Sequence, residues 1–177
     1  MVAEGIAMRG YVTLEELKGT PGCPGDERLQ RGAVAVIECV QEIPCNPCEA
    51  VCPYGAITVG EPITNLPVLD GDRCCGCGLC LAACPGLAIF LVDMTRGPGE
   101  AAVSFPFEYL PLPGAGARVA AVNRSGDIVT EGTVLSVKNP HRNDRTPIVT
   151  ITIPREFAME VRGITMPHRE RESDERS

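Results

Sequence analysis

Several features of other protein classes are missing from this sequence. No apolar run reaches the ~20 residues that a membrane span needs, and the N-terminal MVAEGIAMRG has no apolar run of signal-peptide length. There is no P-loop, no GxGxxG fingerprint and no nucleophile–base pair. Histidine is scarce, and His141 and His168 both lie in polar segments. These absences predict a soluble chain without a membrane span and without a substrate site of its own.

Basic charge is also in the minority. The formal net charge is −7, from 23 acidic and 16 basic residues. An acidic surface repels nucleic acid, and no basic stripe of the kind that nucleic-acid-binding proteins carry is present. We therefore expect no nucleic-acid partner, and a protein partner with a basic docking face fits the charge better.

Cysteine, in contrast, is abundant, and one stretch concentrates it. Residues 74–85 read CCGCGLCLAACP, in which four cysteines stand at spacings x2, x2 and x3 and Pro85 follows the last. Three closely spaced thiolates can surround one corner of a metal cluster, while a fourth, displaced further along the chain, points away from it. The four cysteines are Cys74, Cys77, Cys80 and Cys84.

An earlier stretch repeats this pattern at a constant offset of 32 residues. Cys45, Cys48 and Cys52 match the last three cysteines of the later motif, and a proline again follows the last. The match fails at position 42, which is Glu42, and the nearest upstream thiol is Cys39, three residues early. The repeat predicts two halves related by pseudo-two-fold symmetry.

Residues 34–92 resemble the bacterial-type ferredoxins that carry two [4Fe–4S] clusters, on the motifs just described. The resemblance implies crossed ligation, in which the last cysteine of each motif serves the other cluster. One cluster is then held by Cys52, Cys74, Cys77 and Cys80. The other is held by Cys45, Cys48 and Cys84, with Cys39 as its fourth ligand, unless Cys39 only ends a strand and three protein thiolates suffice.

Other uses of the ten cysteines are less well supported. A secreted disulfide framework is disfavoured, because CxxC spacings suit a shared metal centre better than pairing with each other. A zinc ribbon needs four ligands, whereas eight cysteines form two overlapping sets here. Cys23 and Cys75 fall outside the ligand spacing and are interpreted as non-ligands, and Tyr54, after the first Cys-Pro pair, as a packing residue. Free thiols and clusters need reducing conditions, which predicts a cytoplasmic location.

The composition changes along the chain and predicts an α+β fold in four parts. An N-terminal extension (1–32) precedes the ferredoxin-like domain (33–95). A small β-rich domain (96–165) without cysteine follows, for which an SH3-like β-barrel is expected. A charged tail (166–177) ends the chain and is expected to be solvated.

Local signals predict individual elements. Thr13–Lys18 is a short helix with a capping box, and Asn123–Asp127 is a hairpin turn. Gly132 predicts a bulge or bend in a long strand. Thr95–Glu100 is expected to be a linker, and Pro154–Val161 a helix with proline at its first position.

The whole pattern predicts an electron carrier. The wording IECVQEIPCNPCEAVCPYGAI, the downstream CPGLAIF and the β-rich remainder also resemble the small iron–sulfur subunits of flavin-dependent dehydrogenases of the proline, hydroxyproline or sarcosine type. That resemblance implies electrons passing from a flavoprotein partner through two clusters to an acceptor. A free-standing ferredoxin and a redox or iron sensor remain as alternatives.

Overall fold

The computed structural model describes residues 2–165, and the predicted charged tail (166–177) and His168 lie outside them. The described chain is mixed α/β, mostly sheet with few and short helices. Two single-turn 3-10 helices lie at His141–Asn143 and Arg155–Phe157. The α-helices are α1 Val2–Arg9, α2 Leu14–Lys18, α3 Asp26–Leu29, α4 Pro47–Val51 and α5 Leu79–Ala83.

The strands form one large and one small antiparallel sheet. The strands are β1 Val34–Ile37, β2 Ile57–Thr58, β3 Val68–Leu69, β4 Ile89–Gly97, β5 Glu100–Pro106, β6 Arg118–Val122, β7 Ile128–Lys138, β8 Ile148–Pro154 and β9 Gly163–Ile164. Seven of them make the large sheet in the order β1-β4-β5-β8-β7-β6-β9, and β2 pairs with β3 in the small one.

The N-terminal segment begins with a helix that the sequence did not predict, α1, and continues with one that it did, α2. The Thr13 hydroxyl accepts from the Glu16 amide at 3.2 Å, and the Glu16 carboxylate accepts from the Thr13 amide at 2.9 Å, so the predicted capping box is confirmed. The bond that this carboxylate accepts from the Thr13 amide, together with the one from Arg9, lowers the pKa of Glu16 to about 2. Leu17 is fully buried and anchors the helix.

The sequence repeat corresponds to a repeat in the secondary structure. Helices α4 and α5 both span five residues, and their bounds differ by 32 positions. Both end at a Cys-Pro pair with nearly identical backbone angles, φ −77° and ψ 106° at Cys52 against φ −79° and ψ 110° at Cys84. The strand after each helix pairs antiparallel with the strand before the other, β2 with β3 and β4 with β1.

The predicted linker at Thr95–Glu100 is wrong, because these residues form a hairpin. Strand β4 continues to Gly97, which pairs with Glu100 at the start of β5. Pro98 and Gly99 make the two-residue turn, with Gly99 in the left-handed region at φ 75°. One sheet therefore contains strands from both sides of residue 95, and the division of the chain there stays a prediction.

The strands after residue 99 follow the order β5-β8-β7-β6-β9. The predicted turn between β6 and β7 is confirmed. The Asn123 amide donates to the Asp127 carbonyl, and the Asn123 side-chain oxygen accepts from the Asp127 amide. Gly132 pairs in regular register with Val119, and the irregularities of β7 lie instead between Ile128 and Thr130 and between Val134 and Ser136. Among residues 2–165 no ladder closes these strands on themselves, so the barrel stays a prediction.

The predicted helix over Pro154–Val161 is wrong in most of its length. Pro154 ends β8, where it pairs with Glu100, and only the 3-10 turn Arg155–Phe157 follows. Carbonyls of that turn then accept from the Ala158, Glu160 and Val161 amides, which brings the chain round to β9. Because Pro154 is the last residue of β8 and pairs within the sheet, it cannot begin the helix that the sequence predicts.

Three groups of buried apolar side chains fill the interior. One lies among β5 to β9 and includes Phe105, Val149 and Ile151, in keeping with the alternation of buried and half-buried residues along β8. A second joins the N-terminal helices to β1 and β4. The third surrounds the cysteines and contains both buried thiols, Cys48 and Cys80.

Candidate iron–sulfur centre

Four of the predicted ligands lie around one cavity, which we name site A. The cysteines of site A are Cys52 from the first motif and Cys74, Cys77 and Cys80 from the second. Ala35, Ile57 and Leu91 supply apolar walls, and no charged side chain lines the cavity among the residues that the structure describes. The chain thus brings together the set that the ferredoxin resemblance implies, although the thiols come from two segments.

The other four predicted ligands are grouped as site B. Cys39, Cys45 and Cys84 line one cavity of about 540 Å³. Cys48 lies close enough to all three that their charges raise its pKa, after the larger effect of its own burial. Site B therefore gathers Cys39, the thiol that departs from the repeat, with the three regular ones.

The chain reaches Cys39 through strand β1. The Glu38 amide donates to the Ala88 carbonyl at 2.8 Å, which holds the end of β1 beside the Cys84-Pro85 turn. The following loop is fixed at its other end, where the Cys45 amide donates to the Ile63 carbonyl at 3.2 Å. Cys39, three positions upstream of the regular ligand position, can thus lie next to Cys84 because the end of strand β1 holds the chain there.

Each Cys-Pro turn holds its sulfur in the same way. The Ala56 amide donates to Cys52 Sγ at 3.3 Å, and the Ala88 amide donates to Cys84 Sγ at 3.4 Å. Both turns need a left-handed residue, which is Gly55 at φ 58° in one and Leu87 at φ 51° in the other. Amide donors at these sulfurs favour thiolates and influence the potential of a bound cluster.

Glycines let the second motif pass close to its neighbours. Gly76 has φ 70°, and a Cβ there would lie 2.7 Å from the Ala33 carbonyl oxygen. Gly78, at φ 77°, is the N-cap residue directly before α5 and has open space around it. The Arg28 guanidinium supports the same segment by donating to the Gly71 and Cys74 carbonyls at 2.6 and 2.7 Å.

Burial keeps the deeper thiols protonated in the absence of metal. It raises the pKa of Cys80 to about 12 and that of Cys48 to about 11, and it also raises the pKa of the half-buried Cys39. Metal binding needs thiolates, so iron must displace protons from these sulfurs. The apolar packing around Cys48 and Cys80 suits a cofactor that brings its own positive metal charge.

The spread of the thiols differs from that of a single-ion site. Among residues 2–165, no three Cys, His, Asp or Glu side chains converge closely enough to hold one metal ion. In a zinc site the sulfurs all lie about 2.3 Å from the same ion, whereas each thiolate of a cubane binds a different iron. All ten cysteines are free rather than disulfide-bonded. The donor set therefore fits [4Fe–4S] clusters.

Four other residues singled out in the sequence also have defined positions. Cys75 is exposed and lines site A as a fifth thiol, and hydrogen bonding to it raises the pKa of Tyr54, which is itself exposed. Cys23 belongs to neither thiol group and packs in the apolar group of the N-terminal helices. His141 is exposed in a 3-10 helix.

Sequence reasoning missed a buried ionic group at site B. The Arg124 guanidinium donates to both Glu38 carboxylate oxygens, at 2.9 and 2.7 Å, and Arg162 Nε donates to the same carboxylate. All three residues line the cavity of site B. The only sequence signal for this group was that Arg162 stands between the apolar residues Val161 and Ile164, both of which are buried in the structure.

Comparison with known proteins agrees with this geometry. Residues 38–95, about a third of the chain, match a family model described as a 4Fe-4S dicluster domain. No solved structure matches the chain. Within residues 2–165, no helix combines the length and apolar character that crossing a membrane requires.

The curated relatives match over the same region. An uncharacterized ferredoxin of Methanocaldococcus jannaschii is 38% identical over 69 residues, which are 38% of this chain and 42% of the relative. One subunit of the Na(+)-translocating ferredoxin:NAD(+) oxidoreductase complex of Acetobacterium woodii is 47% identical over 45 residues (25% and 13%). One subunit of the F(420)H(2) dehydrogenase of Methanosarcina mazei is 33% identical over 60 residues (34% and 34%).

The chain thus spans less than half the length of each of these relatives. The matched region is an iron–sulfur electron-transfer domain of the ferredoxin type, and its relatives include both ferredoxins and subunits of oxidoreductase complexes.

Proposed function

We propose that this chain carries two [4Fe–4S] clusters, one at site A and one at site B, and relays electrons between a flavoprotein dehydrogenase and an acceptor. The observation that carries the proposal is the grouping of eight thiols into two sets, each composed of three cysteines from one region and one from the other. A bound cluster supplies one-electron transfer at each site.

The residues of this chain have a defined part in that function. The eight thiolates bind the irons, and the Ala56 and Ala88 amides stabilise the charge on two of the sulfurs. Leu81 and Ile89, both almost fully buried, keep water from the sites. The proposed function does not require any side chain to move a proton or to bind an organic substrate.

The cluster number is tested by anaerobic purification followed by iron and sulfide analysis. Two cubanes require about eight irons and eight sulfides per chain. A value near four would rule out the two-cluster assignment, and reduced samples should then show one EPR signal instead of two. The assay is independent of any partner.

The subunit role rests on other observations. Two of the relatives are subunits of oxidoreductase complexes, and the sequence resembles small subunits of flavin-dependent amino-acid dehydrogenases. The strands after residue 99 exceed what two clusters need, which favours a docking role. We therefore propose a dehydrogenase acting on proline, hydroxyproline or sarcosine as the electron donor, and a reducing, cytoplasmic location.

Affinity purification of the tagged chain from its native host under anaerobic conditions tests the partner. Recovery of a flavin-containing protein at fixed stoichiometry is expected, and the substrate that reduces it identifies the pathway. Recovery of an iron–sulfur monomer alone would instead favour a free-standing ferredoxin, the role for which one relative is named.

A further inference from the structure

The buried ionic group of site B carries more positive than negative charge. Its buried members are one carboxylate, Glu38, and two guanidiniums, Arg124 and Arg162. Their side chains are 8%, 7% and 4% exposed, so solvent screens them weakly. A second carboxylate, Glu160, lies 3.9 Å from Arg124 Nη1, but its side chain is 42% exposed, so solvent screens its charge more strongly. Burial lowers the pKa of Arg162 to about 10, which leaves it charged at neutral pH.

The guanidinium of Arg162 also has one nitrogen that its described neighbours leave without a hydrogen bond. Arg162 Nη1 donates to the Ala158 and Val161 carbonyls, and its guanidinium lies 5.0 Å from the centre of the Phe90 ring. Its Nη2 is buried and has no hydrogen-bond partner among residues 2–165. A buried cation that its neighbours do not fully satisfy is stabilised by a further negative charge nearby.

Site A has no such group. No charged side chain lines its cavity among the described residues. Arg28 approaches from outside and donates only to backbone carbonyls, including that of Cys74. Two sites with similar thiol sets therefore differ in the charge that faces their interior.

We propose that Arg124 and Arg162 raise the reduction potential of the cluster at site B above that of the cluster at site A, so that electrons entering at site A come to rest at site B. Reduction adds one negative charge to a cluster, and a weakly screened positive charge favours the reduced form. The transfer moves one electron from a reduced cluster to an oxidised one and requires no proton. This inference rests on the proposed two-cluster function.

The inference also assigns a role to the strands beyond the ferredoxin domain. Arg124 lies in the turn after β6, and Arg162 directly precedes β9. Both therefore come from outside residues 38–95, the part that matches the dicluster family. The later strands act on site B by placing fixed charge beside it.

The test is an anaerobic redox titration followed by EPR, on the full chain with both clusters. Cys45→Ala first assigns the signal of site B. Arg162→Gln removes a positive charge and should lower the reduction potential of site B. The equilibrium constant for its reduction should fall threefold to tenfold, and the tenfold value corresponds to about 59 mV for one electron. Glu38→Gln removes the negative charge and should move the same potential upward.

The opposite signs separate electrostatics from structural damage. Both variants break the same hydrogen-bonded group, so a purely structural role would shift the potential in one direction in both. Arg155→Gln, which removes an arginine held by Gln30 and the Met94 carbonyl, is the matched control and should leave both potentials unchanged. Arg124→Gln should act like Arg162→Gln and takes its place if that variant does not assemble.

Shifts of the same sign in Arg162→Gln and Glu38→Gln, or no shift at site B in either, would overturn the inference. So would a potential of site B below that of site A in the unaltered chain. An iron content near four per chain would instead overturn the proposed function itself, before any potential is compared.

Discussion

Sites A and B start from the same repeated motif and differ in what surrounds it. Site A keeps the regular spacing, lies against apolar walls and includes a spare thiol, Cys75. Site B takes its fourth thiol from the segment directly after strand β1 and shares its cavity with Arg124 and Arg162. The comparison teaches that a duplicated local motif fixes the position of the thiols, whereas distant parts of the chain determine the charge and solvent around them.

The largest expected effect comes from removing one thiol at each site. Cys39→Ala should lower the iron content from about eight to about four per chain and abolish only the EPR signal of site B. Cys77→Ala should abolish only that of site A. If both signals survive in Cys39→Ala, the cluster of site B does not use this thiol and the symmetry between the sites is lost.

A smaller effect is expected where site A packs most closely against β1. Gly76→Ala combines a left-handed backbone with a 2.7 Å contact to the Ala33 carbonyl, so we expect a loss of about 2–5 kcal/mol. Gly78→Ala carries the backbone strain without the contact and should cost about 1–2 kcal/mol. The guanidinium midpoint of cluster bleaching measures both, and equal midpoints would contradict the role of close packing.

The two Cys-Pro turns offer a finer comparison. Gly55→Ala should destabilise by about 1 kcal/mol, because its φ of 58° is left-handed. Leu87→Gly relieves similar strain at site B but adds flexibility to the unfolded chain, so its effect should stay within about 1 kcal/mol. A large loss in Leu87→Gly, measured by the same bleaching midpoint, would show that this half-buried side chain matters more than its backbone.

The smallest effect is expected from the spare thiol. Cys75→Ala should leave the iron content and both EPR signals unchanged, because Cys75 falls outside the ligand spacing. The alkylation of native protein by iodoacetamide should fall, since an exposed thiol is lost. A loss of about four irons would mean that Cys75 serves as a ligand of site A and that Cys74 or Cys77 does not.

Local signals in the sequence predicted much of this structure. The ends of α2 follow from the capping box, and the β6–β7 hairpin follows from its turn residues. Each of these elements depends on residues that are close together along the chain. The grouping of the thiols joins two separate segments and was implied by the ferredoxin resemblance, with Cys39 as the departure from its pattern.

The errors and omissions depend on residues that are far apart. The segment around Gly97-Pro98-Gly99 has the composition of a linker, and only pairing of β4 with β5 makes it a turn. The ionic group of site B joins Glu38 to residues 86 and 124 positions away. A single sequence carries no signal for such pairs, because nothing local marks an arginine as the partner of a distant carboxylate.

The continuous seven-stranded sheet limits how this chain could be recombined. Strand β4 pairs with β1 on one side and with β5 on the other. Cutting the chain after the ferredoxin motif would leave the outer side of β4 with a row of unpaired amides and carbonyls, which invites pairing between copies. Grafting the electron-carrying part onto another protein would therefore require a replacement for β5.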